Sequence, residues 1–196
     1  MKLYVIRHPE PLDAEGICYG QSDLDVSDEV LVITASHLKG LLQDKPIDLY
    51  LSSPLQRCSK LAAELSSDFV TDERLLEMHF GIWEGLAWDE IDRQAFDAWA
   101  EDYVHNQAPD GESFLDVQAR VKDLLAELSS RELETVAIIG HAAVIRALLG
   151  EVLDIPLEST WRFSVGFGAL LVFEVGAETW QNHLLEMTAG IKRSRP

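Results

Sequence analysis

The sequence predicts an α/β fold, a three-layer αβα sandwich with a mostly parallel central sheet. Short apolar runs rich in β-branched residues alternate along the chain with longer segments of helical periodicity. Strands that are separated by helices pair in parallel, and the helices then cover both faces of the sheet. With 196 residues and no linker-like or repeated segment, we expect a single domain, 1–196, with a helical cap segment at about 84–112.

The strands are predicted where apolar runs are short and bounded by polar or turn residues. The first is cut by the charge of Arg7, and the run that ends at Gly140 is the most continuous. Two strands near the C-terminus are separated by a turn near Gly176 and Ala177, and the polar tail at 192–196 is expected to fray. The predicted strands are 3–6, 48–52, 135–140, 163–175 and 180–186.

The helices are predicted from apolar spacing and from residues that favour helix ends. Ser27 is a suitable N-cap, Pro54 suits a first helical turn, and Ser113 with Asp116 matches a capping box. Gly150 is the predicted end of the last helix. The predicted helices are 27–42, 54–65, 88–103, one that begins at Ser113, and 142–149.

The charge balance excludes several classes of partner. The chain has 16 Lys and Arg against 34 Asp and Glu, which gives a formal net charge of −18. Such a chain is repelled by nucleic acids and by anionic membranes. Its 2 cysteines allow neither a disulfide framework nor a paired-cysteine zinc site, and no uncharged stretch is long enough to cross a bilayer. We therefore expect a cytoplasmic monomer or homodimer without nucleic-acid or membrane partners.

Two histidines follow predicted strands that are far apart in sequence. His8 comes directly after the first strand and His141 after the strand at 135–140, so both are expected at the carboxyl edge of the sheet. Either histidine alone is most simply a structural residue, but the pair indicates a site. A metal centre is one alternative, yet Arg7 and Arg57 would repel a metal and attract an oxyanion. We therefore expect a phosphate site with no metal and no cofactor.

The residue types at this edge suit phosphoryl transfer. A neutral imidazole can attack phosphorus and form a phosphohistidine, while guanidinium groups neutralise the equatorial oxygens. Adjacent strand residues point to opposite faces, so Arg7 and His8 can share a site only where the strand runs out into a loop. Pro9, which donates no ladder hydrogen bond, favours such an ending.

Four segments resemble the ordered motifs of the histidine phosphatase superfamily, the phosphoglycerate-mutase-like family. They are residues 3–8, 52–57, 76–85 and 140–146. The resemblance implies that His8 is the nucleophile, that Arg7, Arg57 and His141 form the phosphate pocket, and that Glu77 is the proton donor to the leaving group. The backbone N–H of Ala142, at a helix start, would suit a phosphate oxygen.

Residues 16–24 and 109–113 further resemble the α-ribazole phosphatase branch of that family, and they add Gly20, Gln21 and Ser22 as substrate-binding residues. Pro9 and Ala14 depart from the family pattern, where Gly and Asn are usual. The resemblance implies a phosphomonoesterase acting on α-ribazole 5′-phosphate or adenosylcobalamin 5′-phosphate in cobalamin biosynthesis. The alternatives are a general sugar-phosphate phosphatase, a phosphoglycerate mutase, or a non-catalytic phosphate-binding regulatory module.

Overall fold

The computed structural model describes residues 1–191, so the tail at 192–196 for which fraying is predicted lies outside the described residues. Six strands form one sheet: β1 (Lys2–Arg7), β2 (Leu49–Ser52), β3 (Val70–Thr71), β4 (Thr135–Gly140), β5 (Leu170–Glu174) and β6 (His183–Met187). Their order across the sheet is β3-β2-β4-β1-β5-β6. Strands β1 to β4 run parallel, whereas β5 pairs antiparallel with both β1 and β6.

Helices cover both faces of the sheet, so the predicted three-layer αβα fold is confirmed. The helices are α1 (Asp28–Leu42), α2 (Gln56–Leu65), α3 (Arg93–Glu101), α4 (Phe114–Ser129) and α5 (Ala142–Leu153). Alternate residues of β1 face opposite layers: Leu3 and Val5 pack with α4 and α5, and Tyr4 and Ile6 pack with α1 and α2.

Local capping signals mark two helix starts correctly. The Ser27 hydroxyl accepts a hydrogen bond from the Val30 N–H at the start of α1. Ser113 and Asp116 form the predicted capping box at the start of α4. The prediction for α2 began two residues early, because the helix starts at Gln56 and not at Pro54.

The helix predicted at 88–103 is wrong in extent, since α3 covers only Arg93–Glu101. Asp92 caps α3 by accepting a hydrogen bond from Ala95 N–H, which fixes the start of the helix there. Upstream, the Trp88 N–H donates to the Gly16 carbonyl across the fold, so the backbone at Trp88 is held outside a helix.

Gly150 does not end α5, as predicted, but lies inside it. The helix continues to Leu153, and Asp154 takes the left-handed conformation that terminates it, with φ of 51°. A side chain at Gly150 would place its Cβ 3.0 Å from Leu157 Cδ2. The glycine therefore permits close packing by the following 3₁₀ turn. In the sequence, a glycine in this role cannot be distinguished from a glycine that ends a helix.

The two C-terminal strands are shorter than predicted, because residues 163–169 do not pair as a strand. Gly168 has a φ of 67°, and its N–H donates to the carbonyl of Arg7 at 3.2 Å. The segment instead passes beside the end of β1. In the part of the chain that the structure describes, no helix combines the length and apolar character that crossing a membrane requires.

Candidate active site

The carboxyl ends of β1, β2 and β4 lie side by side and bring the predicted site residues together. Arg7 pairs in register with Gly140, and the His8 N–H donates to the Gly140 carbonyl at 3.0 Å. The rings of His8 and His141 consequently lie 5.0 Å apart between centroids. Both side chains are fully buried. The pairing of neighbouring parallel strands therefore unites residues 133 positions apart in sequence (141 − 8).

His8 is held in one tautomer. Its Nδ1 lies 2.6 Å from the carbonyl oxygen of Pro9, which can only accept, so Nδ1 carries the proton. Its Nε2 has no hydrogen-bond partner among the described residues. Burial, followed by the positive charges of Arg7 and Arg57, holds the pKa of His8 well below its usual value. The imidazole is thus neutral near pH 7, with a free lone pair on Nε2.

Arg7 is the last residue of β1, and its side chain lies in the same site. Its Nη1 donates to the Val165 carbonyl at 2.6 Å, and its guanidinium lies 4.0 Å from the ring centroid of Phe167. The His8 ring packs against the same Phe167, with centroids 5.5 Å apart. Arg7 and His8 therefore share one site although they are adjacent in the chain, as expected if the strand ends between them.

Arg57, in the first turn of α2, is fully buried and binds the loop at 20–22. Its Nη2 and Nη1 donate to the carbonyls of Gly20 and Ser22, each at 2.7 Å. Its Nε donates to His141 Nδ1 at 3.3 Å. A guanidinium has five N–H bonds, so donors remain for a phosphate oxygen after these contacts are made.

His141 is the residue that precedes α5, and its ring is fixed on both sides. Because Arg57 donates to Nδ1, the proton lies on Nε2, which is 2.8 Å from the Ser53 hydroxyl oxygen. Burial, with the added effect of His8 and Arg57, holds the pKa of His141 well below its usual value. Both histidines are therefore neutral, and the two arginines supply the positive charge of the site.

The Glu77 side chain, from the loop that precedes residue 81, contacts the N-terminus of α5. Its Oε2 accepts from Ala142 N–H and its Oε1 from Ala143 N–H, each at 3.1 Å, and Oε1 also accepts from Met78 N–H at 3.0 Å. The Ala142 N–H, which the family resemblance assigns to phosphate, thus donates to Glu77 in this structure. The carboxyl group faces the positive end of the helix dipole.

The loop at 20–22 is tied to the Glu77 segment by Glu84. Glu84 Oε1 accepts from the backbone N–H of Gln21 at 2.9 Å and from that of Phe80 at 3.0 Å, while Oε2 accepts from Ser22 Oγ at 2.8 Å. Gln21 Nε2 donates to the Glu77 carbonyl at 2.9 Å. Both oxygens of Glu84 are occupied, so this residue positions the loop.

Several residues of the site were not anticipated from the sequence. Tyr19 lies under Arg57, with its ring centroid 5.2 Å from the guanidinium, and Phe167 packs on Arg7 and His8. Arg120, a residue of α4, donates a hydrogen bond to the Glu77 carbonyl at 3.2 Å. Ser53 and Tyr19 belong to segments that the sequence did single out, but the contacts of Phe167 and Arg120 are long-range and no local pattern predicts them. Within residues 1–191, no group of three or more potential metal-ligating side chains is found.

The fold and the two buried, neutral histidines that lie with two arginines at one edge of the sheet are typical of enzymes that transfer a phosphoryl group through histidine. The chain belongs to the histidine phosphatase superfamily (branch 1), whose model matches residues 3–188. The predicted family and the predicted class of enzyme, a phosphoric monoester hydrolase, are thereby confirmed.

Individual relatives share a quarter to a third of the sequence. The adenosylcobalamin/alpha-ribazole phosphatase of Escherichia coli (strain K12) is 27% identical, over 89% of this chain and 90% of its own. The glucosyl-3-phosphoglycerate phosphatase of Mycobacterium tuberculosis (strain H37Rv) is 32% identical, over 85% and 81%. The crystal structure of the alpha-ribazole phosphatase from Shigella flexneri superposes with a TM-score of 0.86 at 27% identity and covers 100% of both chains.

Proposed function

We propose that this protein is a phosphomonoesterase that forms a phosphohistidine on His8. The observation that carries the proposal is the state of His8, a buried neutral imidazole whose Nε2 has no hydrogen-bond partner among the described residues and whose pKa is lowered by burial and by the charges of Arg7 and Arg57. A non-catalytic phosphate-binding module would not require a lone pair at that position. A nucleophile requires it, because Nε2 must form a bond to phosphorus.

The reaction follows from the positions of these groups. His8 Nε2 forms a bond to phosphorus as the bond from phosphorus to the ester oxygen breaks, and Arg7 and Arg57 stabilise the charge on the equatorial oxygens. Glu77, in its acid form, gives its proton to the leaving oxygen. The resulting carboxylate then takes a proton from the water that attacks the phosphohistidine, which releases phosphate and restores both His8 and Glu77.

The substrate we propose is α-ribazole 5′-phosphate or adenosylcobalamin 5′-phosphate, in cobalamin biosynthesis. Its support is the resemblance of residues 16–24 and 109–113 to that branch, together with the relatives of that name in E. coli and S. flexneri. A phosphoglycerate mutase is disfavoured, since the segment between Gly85 and Ser113 is too compact to shield a phosphoenzyme from water.

A second candidate substrate is a phosphoglycerate derivative, which the 32% identity to the glucosyl-3-phosphoglycerate phosphatase favours. We also propose that residues 1–196 form one domain in which 84–112 is the cap, and that the protein is cytoplasmic, as a monomer or homodimer. Ile91 and Ala108 of the cap form a small buried cluster with Cys18 and Trp83, which lie outside it.

Rapid chemical quench during turnover of α-ribazole 5′-phosphate tests the function. We expect acid-labile phosphate on the peptide that contains His8, and roughly a 10³-fold or greater loss of kcat in His8→Asn. His183→Asn, at an exposed position on β6, is the matched control and should retain activity. Substantial turnover by His8→Asn, or phosphate on a different peptide, would contradict the assignment.

A further inference from the structure

An apolar pocket is lined in part by Glu77, the residue proposed above to give its proton to the leaving group. Its volume is about 230 Å³, and it shares Glu77 and Ala142 with the site described above. Pockets that enclose a whole drug-sized ligand measure about 300–1,000 Å³, so this one accommodates only part of a substrate. We call this cavity the aromatic pocket. Its wall is formed mainly by Phe80, Trp88, Trp99, Tyr103, Arg146 and Trp161.

The rings of this wall contact one another at defined angles. Phe80 meets Trp88 edge to face with centroids 5.7 Å apart, and Tyr103 meets Trp161 in the same way at 6.2 Å. These contacts hold the rings in place before a ligand arrives. Trp88 is nevertheless 41% exposed and Trp161 60% exposed. Large aromatic surface left open to water beside a reactive carboxyl group is typical of a ligand site.

Arg146 is the one cation in the wall, and only one nitrogen of its guanidinium makes hydrogen bonds within the described residues. Nη1 donates to the carbonyls of Thr160 and Phe163 at 2.6 and 3.3 Å, and the guanidinium lies 4.0 Å from the ring centroid of Trp161. These contacts fix the position of Arg146 in the wall.

Two N–H donors of the same wall lack an acceptor among the described residues, Arg146 Nε and Trp99 Nε1. A ring with one acceptor nitrogen at its edge would satisfy such a donor, whereas a hydrocarbon ring would not. Both atoms are covered in this structure, so the contact requires a small rotation of a wall side chain. The wall thus combines a stacking surface with a need for one acceptor.

We infer that the aromatic pocket binds a flat, apolar, bicyclic heteroaromatic ring on the leaving group, and that Trp88 and Trp161 select the substrate by stacking on it. The inference rests on the proposed function and specifies its substrate class. The dimethylbenzimidazole of α-ribazole is such a ring, with two fused apolar rings and one acceptor nitrogen. Serine, glycerate and unsubstituted sugars provide no comparable surface.

Kinetic discrimination between two substrates tests the pocket. α-Ribazole 5′-phosphate and ribose 5-phosphate share the same 5′ leaving oxygen and differ in the base. We expect the wild type to prefer the former, and Trp161→Ala or Trp88→Ala to lower the ratio of the two kcat/KM values by roughly tenfold. Trp180→Ala, at a tryptophan that is 78% exposed outside the pocket, is the matched control and should leave the ratio unchanged.

A binding measurement separates failure of this inference from failure of the proposed function. Unphosphorylated α-ribazole is titrated calorimetrically into the wild type, Trp161→Ala and Trp180→Ala, and we expect weakened binding only in Trp161→Ala. Phosphatase activity without preference for the aromatic substrate would overturn the inference alone. If no phosphate ester is hydrolysed, the proposed function fails, and the titration still decides whether the pocket binds the ring.

Discussion

The two ends of the candidate site are built in different ways. At the phosphate end, His8, Arg57 and His141 are fully buried and lie at the ends of regular elements, where the pairing of β1 with β4 fixes their spacing. At the leaving-group end, residues 73–112 form 3₁₀ turns, loops and one short helix, α3, which has no buried residue. The residues proposed to bind phosphate thus lie at the edge of the sheet, whereas most of the aromatic pocket comes from residues 73–112, with Arg146 and Trp161 added from α5 and the turn that follows it.

The leaving-group end is held by carboxylates that accept backbone hydrogen bonds. Glu84 binds Gln21 and Phe80, and Glu112 accepts from His79 N–H at 2.9 Å while pairing with Arg120. Each of these contacts depends on a single side chain, whereas a strand is held by a ladder of backbone bonds. Point substitutions should therefore affect this end selectively, and the predictions below test that difference.

At the leaving-group end, the largest effect is expected from Glu77→Gln, which removes the proton at the boundary between the two ends. Turnover of α-ribazole 5′-phosphate should fall by roughly 100-fold, because its alkoxide leaving group needs a proton. Turnover of p-nitrophenyl phosphate should fall far less, because nitrophenolate leaves without one. Steady-state kinetics on the two substrates measures the difference.

Glu73→Gln, at an exposed glutamate four residues earlier, provides the matched control for Glu77→Gln. In the native protein the Glu77 carboxyl group accepts hydrogen bonds from the N–H groups of Ala142 and Ala143. The new amide would place its own N–H group against one of these donors. If this repulsion between N–H groups were the only effect of the substitution, the turnover of both substrates would fall by the same factor. Equal losses would therefore identify Glu77 as a positioning residue and contradict its role as the acid.

A smaller effect is expected from Glu84→Ala, which leaves the N–H groups of Gln21 and Phe80 without their acceptor. Losing the fixed position of the loop at 20–22 should lower kcat/KM by roughly tenfold, with Glu84→Gln partly restoring it because the amide keeps one acceptor oxygen. Glu90→Ala, which removes a carboxylate that accepts from the Ala87 N–H, is the control. If Glu84→Ala retains full activity, the loop does not depend on this carboxylate.

A separate effect concerns stability and belongs to the phosphate end. Burial first, with nearby positive charge, lowers the pKa of both His8 and His141, so the unfolded chain binds more protons than the folded one below pH 6.5. Stability is then fully present above that pH and falls as the pH drops, by about 1.4 kcal/mol per pH unit for each histidine. Urea unfolding at pH 7.5 and 5.5 should differ by about 2–3 kcal/mol from these two groups.

His8→Asn removes one of the two groups, so it should reduce that pH dependence by about half. The exposed His183→Asn again serves as the control and should leave the difference as in the wild type. A wild-type free energy of unfolding that is constant between these pH values would contradict the buried, neutral state of the histidines, and with it the basis for His8 as nucleophile.

Most of the fold was predictable because its signals are local. The apolar run of β4 and the Ser113–Asp116 capping box lie within a few residues of the structure they specify. The errors occurred where a distant contact overrides the local pattern. Trp88 is held outside a helix by Gly16, and Gly150 lies inside α5, where Leu157 packs closely on it.

The sequence by itself determined the family, the strand ends at which Arg7, His8 and His141 stand, and the order of the elements except for the short strand β3. Only the tertiary structure decided which nitrogen of His8 is free, that the Ala142 N–H is occupied by Glu77, and that rings from Phe80 to Trp161 form one pocket. The physical reason is range. Periodicity and capping act over a few residues, whereas a tautomer, a hydrogen-bond partner and a pocket depend on groups that only packing of the complete chain brings within contact distance.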